Sequence, residues 1–145
     1  MLAKLKAATF EVLETMFFLF PESLEEGEFL RSRGPFLRSS VTIAGPQSIR
    51  IGLQVPQSLA RKMAANFLGA NEDEISQAEM EDILKETCNM LAGSFLSKLE
   101  ASAAFKLQTP VIQVFPDGEQ KKSKPEKSLR FEVEEELLEL FVEKG

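Results

Sequence analysis

One stretch of this sequence states both where a helix begins and which side of it must be buried: Ser76 to Glu100, S-Q-A-E-M-E-D-I-L-K-E-T-C-N-M-L-A-G-S-F-L-S-K-L-E. Ser76 and Glu79 stand at capping-box spacing, where the hydroxyl accepts from a free first-turn N–H and the carboxylate accepts from the Ser N–H. The start is therefore set near Ser76. At about 100° per residue, Leu84, Cys88, Leu91, Phe95 and Leu99 fall on one side, an apolar stripe that belongs against a core. Any fold open to this chain must supply a surface to cover that stripe.

The other side of the same helix carries Asp82, Glu86, Asn89 and Gly93, whose spacing of four, three and four residues aligns them along the solvent face. Asn is a mediocre helix former, and Gly in a helix interior costs on the order of 1 kcal/mol relative to Ala. A face that needed only solvation would use Lys, Glu or Gln. Taken singly, Asn89 reads as an exposed amide and Gly93 as a close-packing point for a neighbouring element. The joint pattern Asp82-xxx-Glu86-xx-Asn89-xxx-Gly93 is what asks for a further account.

Composition narrows the chemistry. The 145 residues, 43% of them hydrophobic, suit one domain over residues 1–145 with a substantial core. With 17 basic against 23 acidic residues the net charge is -6, which argues against a nucleic-acid partner and against an anionic membrane surface, and favours a partner with a basic rim. The chain contains no His, so it is not a phosphohistidine carrier, a Ser-His-Asp or Cys-His enzyme, or a His-ligated metal protein. Trp and Tyr are absent too, and no Phe run is interleaved with basic residues as a base-stacking platform would require. The single cysteine, Cys88, lies on the core stripe; it reads as a small buried hydrophobe, with no intramolecular disulfide possible and a reducing, cytoplasmic location expected.

Along the chain, Met1 to Phe20 has Lys4 and Lys6 before an apolar run, as a signal peptide would, but Glu11 and Glu14 interrupt that run and no small-residue cleavage site follows. It reads as a helix with Leu5, Ala8, Val12, Met16 and Leu19 inward, Leu13, Phe17 and Phe20 widening the face, and Pro21 closing it. Glu22 to Pro35 reads as a loop with one short ordered segment. Phe36 to Ala44 and Ser48 to Val55 read as a half-buried hairpin around Gly45-Pro46-Gln47. Pro56 suits a first helical position, Leu59, Ala60, Met63, Ala64, Phe67 and Leu68 form a buried face, and Gly69 is a natural stop. Asn71 to Glu74 lacks the ligand order of a calcium loop and reads as a solvated link. Phe105 to Phe115 has strand character around Pro110, and Pro116 to Lys127 is a Lys-rich loop. The end admits two readings: Val133, Leu137, Leu140 and Phe141 suit a helix, whereas Leu129, Phe131, Val133 and then Leu138, Leu140, Val142 suit two strands joined near Glu135.

The polar line resembles the signature helix of the CheC, CheX and FliY family of chemotaxis phosphatases, D/S-xxx-E-xx-N, and Asn89-Met90-Leu91-Ala92-Gly93 looks most like the CheX branch. E-V-L-E-T-M-F in the opening helix, the central hairpin and the Pro-Val-Ile strand extend the resemblance over most of the chain. It implies an α+β domain with helices on one face of a largely antiparallel sheet, in the order α-β-β-α-α-β-β-β, and so favours strands at the C-terminus. Relatives can carry a second signature on the opening helix; here Glu11 leads to Glu14 and Glu14 to Phe17, so one site per chain is expected.

The implied activity is hydrolysis of the aspartyl phosphate of a CheY-like response regulator, with Mg²⁺ supplied by the regulator and no cofactor or metal held by this chain. In that reading Asn89 positions the attacking water, Glu86 pairs with a cation beside the phosphate, Gly93 admits the partner backbone, and Asp82 assists docking. The alternatives are a regulator-binding module without turnover and a structural component of a flagellar or signalling assembly. CheX-like proteins pair through sheet edges, so a homodimer is expected, with hydrophobic strands near Ile49 and Leu140 as the available edges.

Overall fold

The computed structural model describes residues 2–24, 34–99, 105–116 and 127–144; the centre of the Glu22–Pro35 loop, Glu100 and the Lys-rich stretch of the 116–127 loop lie outside the described residues. The chain opens with helix α1 (Leu2–Met16) and strand β1 (Glu22–Ser23), then forms the hairpin β2 (Phe36–Ala44) and β3 (Ile49–Pro56). Helices α2 (Gln57–Leu68) and α3 (Gln77–Ser97) follow, separated by one 3-10 turn at Glu72–Glu74. Strands β4 (Lys106–Leu107), β5 (Val111–Phe115), β6 (Lys127–Val133) and β7 (Glu136–Lys144) complete it.

Alternation along the strands makes one sheet with two unlike faces. Its order is β1-β6-β7-β3-β2-β4, with β5 also on β2, and each of these pairings is antiparallel. Leu37, Val41 and Ile43 of β2, Ile51, Leu53 and Val55 of β3, Phe131 and Val133 of β6, and Leu138, Leu140 and Val142 of β7 point the same way. They join the buried faces of α1, α2 and α3 in one hydrophobic cluster. That is the helix-on-sheet α+β architecture, and the C-terminal segment is two strands. High helix propensity in Glu134 to Leu138 yields there to the period-two burial of Phe131, Val133, Leu138, Leu140 and Val142.

The borders differ from the sequence expectation where tertiary contacts decide them. α1 stops at Met16 rather than at Pro21 because Phe18 turns left-handed (φ 55) and the Leu19 N–H folds back on the Leu13 carbonyl at 3.0 Å. Leu19 is thereby carried inward while Met16 and Phe20 face solvent. α2 begins after Pro56, which serves as its extended N-cap and ends β3. It closes on Gly69 (φ 67), where the Ala70 N–H reaches the Ala65 carbonyl at 3.0 Å in a Schellman closure. Phe67 and Leu68 lie past the covered part of its face and are exposed. α3 ends at Ser97, and Lys98 and Leu99 continue in i→i−3 bonds.

The strands near Ile49 and Leu140 are not sheet edges. β3 lies between β2 and β7, and β7 lies between β3 and β6, so the hydrophobicity of both reflects a central position. β3 is covered on its second face as well: the Phe141 ring fills the space that a Cβ on Gly52 would need, and Gln54 is buried under a hydrogen bond from Arg38 Nε at 3.0 Å. Among the described residues the sheet ends in β1 on one side and the β4–β5 pair on the other, interrupted at Pro110.

Candidate functional site

The site is built by α3. At its start the Glu79 N–H donates to Ser76 Oγ (3.1 Å) and the Ser76 N–H to Glu79 Oε1 (2.9 Å), completing the capping box. Inward, Leu84, Cys88, Leu91 and Phe95 are buried, and buried Thr87 returns its hydroxyl to the Ile83 carbonyl at 2.7 Å. The core side is thus anchored along its length, which holds the opposite side in a fixed rotation. Cys88 belongs to the anchor. Burial pushes its thiol up to about 12, against a hydrogen bond with Ser39 that acts the other way, so it remains a neutral thiol rather than a nucleophile.

On the outer side Asp82 and Glu86 are exposed, and Asn89 and Gly93 are half-buried. Asp82 pairs with Lys85 at 3.6 Å, an exposed contact of little energetic weight. Neither the Glu86 carboxylate nor the Asn89 amide has a hydrogen-bond or ion-pair partner among the described residues. They stand one turn apart on a rigid helix, a hydrogen-bonding pair offered outward. A Cβ built on Gly93 would meet nothing within 4 Å. Gly93 is therefore not a packing point for a neighbouring element among the described residues.

The corresponding acid of the first helix is committed elsewhere. Glu11 accepts from Lys98 Nζ at 2.7 Å and from Ser94 Oγ at 3.0 Å, tying α1 to the end of α3. The Lys98 hydrogen bond, then the one from Ser94, then the Lys98 charge hold its carboxyl below the usual carboxylate range. Sequence spacing shows Ser94 and Lys98 one turn apart, but their partner on another helix is a tertiary contact that no local pattern contains. Apart from α3, a polar cavity of about 360 Å³ lined by Arg38, Thr42, Arg50 and Gln113 among others lies on the sheet face away from the helices. Among the described residues, no cluster of Cys, Asp and Glu suitable for holding a metal is formed, and no helix is long and apolar enough to cross a membrane.

A helix-on-sheet α+β domain with Glu-xx-Asn on the open side of its long helix fits the class of chemotaxis phosphatases that the sequence resembles. A family model described as chemotaxis phosphatase CheX matches residues 38–134, more than half of the chain, and the chain belongs to the CheX family. No curated protein matches it by sequence. Among solved structures, CheX from Desulfovibrio desulfuricans superposes with a TM-score of 0.77 at 18% identity, covering 99% of this chain and 97% of the other. CheX from Vibrio vulnificus gives 0.76 at 22% identity, covering 97% and 95%. The CheX of a CheX-CheY-BeF3-Mg complex from Borrelia burgdorferi gives 0.68 at 21% identity, covering 99% and 97%. At these identities the superpositions establish the shared fold.

Proposed function

We propose that this chain is a phosphatase that hydrolyses the aspartyl phosphate of a CheY-like response regulator, docking through Glu86 and positioning the attacking water with Asn89. The observation that carries this is the carboxylate and amide one turn apart, without a partner among the described residues and bordered by the open surface of Gly93. Membership of a chemotaxis phosphatase family supports the reaction class, and the Borrelia complex shows a related fold together with a CheY.

An amide has no useful proton affinity, so Asn89 is not a general base. Its Oδ1 accepts from a water while its Nδ2 donates to the same water's lone pair, which orients the oxygen toward phosphorus. Attack forms the new P–O bond and breaks the bond to the aspartyl oxygen, releasing inorganic phosphate and restoring the regulator's carboxylate. The charge on phosphate is met by the regulator's own Mg²⁺ and cations, with Glu86 pairing one of those cations to hold the register. Asp82 adds to the negative field at the start of the line, and Gly93 admits the partner backbone.

The test is phosphate loss from Mg²⁺-loaded, phosphorylated receiver domains. Asn89→Ala is expected to bind the regulator normally while losing most of its turnover, since the lost contact matters in the transition state. Glu86→Gln is expected to weaken binding, and the wild-type rate at subsaturating substrate to fall with added salt. Full turnover by Asn89→Ala would reduce the protein to a regulator-binding module.

A further inference from the structure

The joined ends of α1 and α2 leave large apolar side chains in solvent. Phe18 is 67% exposed and Phe20 70%, and Met16 just before them and Phe67 and Leu68 at the end of α2 are exposed too. The two ends touch: the Phe17 ring lies 5.4 Å from that of Phe67, and Asn66 Nδ2 donates to the Phe17 carbonyl at 2.8 Å. Phe17 and Leu19 already close the core at this end, so the exposed residues add nothing to it. Scattered surface hydrophobes are ordinary, but a contiguous group of them marks a contact surface.

Phe18 is the most telling of them. It holds a left-handed backbone (φ 55), which costs a non-glycine residue on the order of 1 kcal/mol and is the position where helix ends favour Gly. An exposed phenyl ring held there brings no burial in return, and strain of this kind is found where a site uses the side chain.

Its location supplies the use. Glu11 meets Ser94 and Lys98 near the end of α3, whereas Phe17 meets the end of α2, from which a short link leads into the start of α3. α1 thus runs antiparallel to α3. With each helix rising about 1.5 Å per residue, stepping from the Glu11–Ser94 contact puts the turn after Met16 at about the axial level of Glu86 and Asn89. The segments that carry the shoulder are acidic: Glu14 and Glu22 bracket Met16 to Phe20 in the chain, and exposed Glu72, Asp73 and Glu74 follow Phe67 and Leu68. The nearby Arg61 is occupied by the Ile75 and Glu72 carbonyls, at 2.7 and 3.3 Å.

We infer that this apolar shoulder is a second docking element for the regulator, receiving an apolar patch rimmed by Lys and Arg on the same receiver domain whose phosphate meets Asn89. The inference rests on the phosphatase reading. The shoulder supplies affinity by excluding water, and the polar line supplies register and chemistry.

The full chain carrying Phe18→Gly and Phe20→Ser tests it. Its thermal midpoint is expected to equal or exceed that of the wild type, because the left-handed strain is relieved and nothing buried is removed. KM for the phosphorylated receiver is expected to rise about tenfold, the effect of losing an apolar anchor at an interface, with kcat within about twofold of wild type and the KM increase insensitive to salt. Asn89→Ala shows the reverse split. An unchanged KM in the double variant, with an active wild type, overturns the shoulder and leaves the phosphatase reading standing. A wild type that neither accelerates phosphate loss nor binds any receiver overturns that reading and the shoulder with it. If the wild type binds without turnover, the dissociation constant measured by titration replaces KM, with the same expected rise. Loss of self-association in the double variant at unchanged KM would overturn the inference in favour of a second copy of this chain.

Discussion

Asn89, Leu91 and Gly93 lie within one turn of α3 and answer to different demands. Leu91 is 1% exposed and belongs to the main cluster, so Leu91→Ala leaves a cavity and is expected to cost about 2–5 kcal/mol. Asn89 has no partner among the described residues; Asn89→Ala is expected within about 0.5 kcal/mol of wild type, on the stable side because Ala is the better helix former. Gly93 has open space where a Cβ would go, and Gly93→Ala is expected to stabilise the fold by about 1 kcal/mol. Denaturant unfolding of the three variants checks that order. A large loss in the Asn89 or Gly93 variant would mean that the residue serves the fold and not the surface. The exposed Glu11 contact has a modest pH dependence of definite sign: with its carboxyl held below the unfolded value, its contribution is present above the usual carboxylate range and lost as pH falls through the folded-state value.

Among the elements, the β6–β7 hairpin turns through two residues with positive φ, Glu134 at 51° and Glu135 at 65°. This is the geometry of a type I′ turn, which Asn-Gly adopts far more readily than Glu-Glu. Replacing the pair by Asn-Gly is expected to raise stability on the order of 1 kcal/mol, read as a higher denaturation midpoint. Glu136, which Ser58 and Lys62 hold against α2, is untouched by the change. A lower midpoint would show that the glutamates are held by contacts beyond backbone geometry. This hairpin also shows what was legible in advance. The alternation of Leu129, Phe131 and Val133 and then Leu138, Leu140 and Val142 admitted two strands beside a helix, and only the family resemblance chose between them, whereas the capping box and stripe located α3 outright, each being a local pattern with a definite phase. Helix ends were less legible. Met16, Phe20, Phe67 and Leu68 continue the apolar period of α1 and α2, but periodicity records a direction around the axis, not where the neighbouring element stops covering it. The polar line was visible from its spacing and became a candidate site through the resemblance to a family signature, whereas the Glu11–Lys98 contact and the aromatic shoulder depend on how two helices meet.

At the scale of the molecule the remaining question is where a second copy would attach, since the strands first expected to pair, those with Ile49 and Leu140, lie inside the sheet. Among the described residues β1 is a short template, with Glu22 and Ser23 in its ladder and the Leu24 N–H on the Arg130 carbonyl. β5 is longer, running Val111–Phe115 between Pro110 and Pro116, with Val111 57% and Val114 40% exposed. An uncovered apolar edge strand is a site for strand addition. We therefore expect a homodimer joined through β5, dimeric by sedimentation at tens of micromolar, well above the Kd of a micromolar contact. Val114→Lys places a charge on that edge and is expected to give monomers. The net charge of -6 on each copy opposes this association, so added salt is expected to tighten it by screening, whereas docking of an acidic line onto a basic regulator is expected to weaken under the same addition. The two contacts are thus separable in one salt titration. A monomer at those concentrations removes the dimer, and a dimer indifferent to Val114→Lys places its interface on another surface.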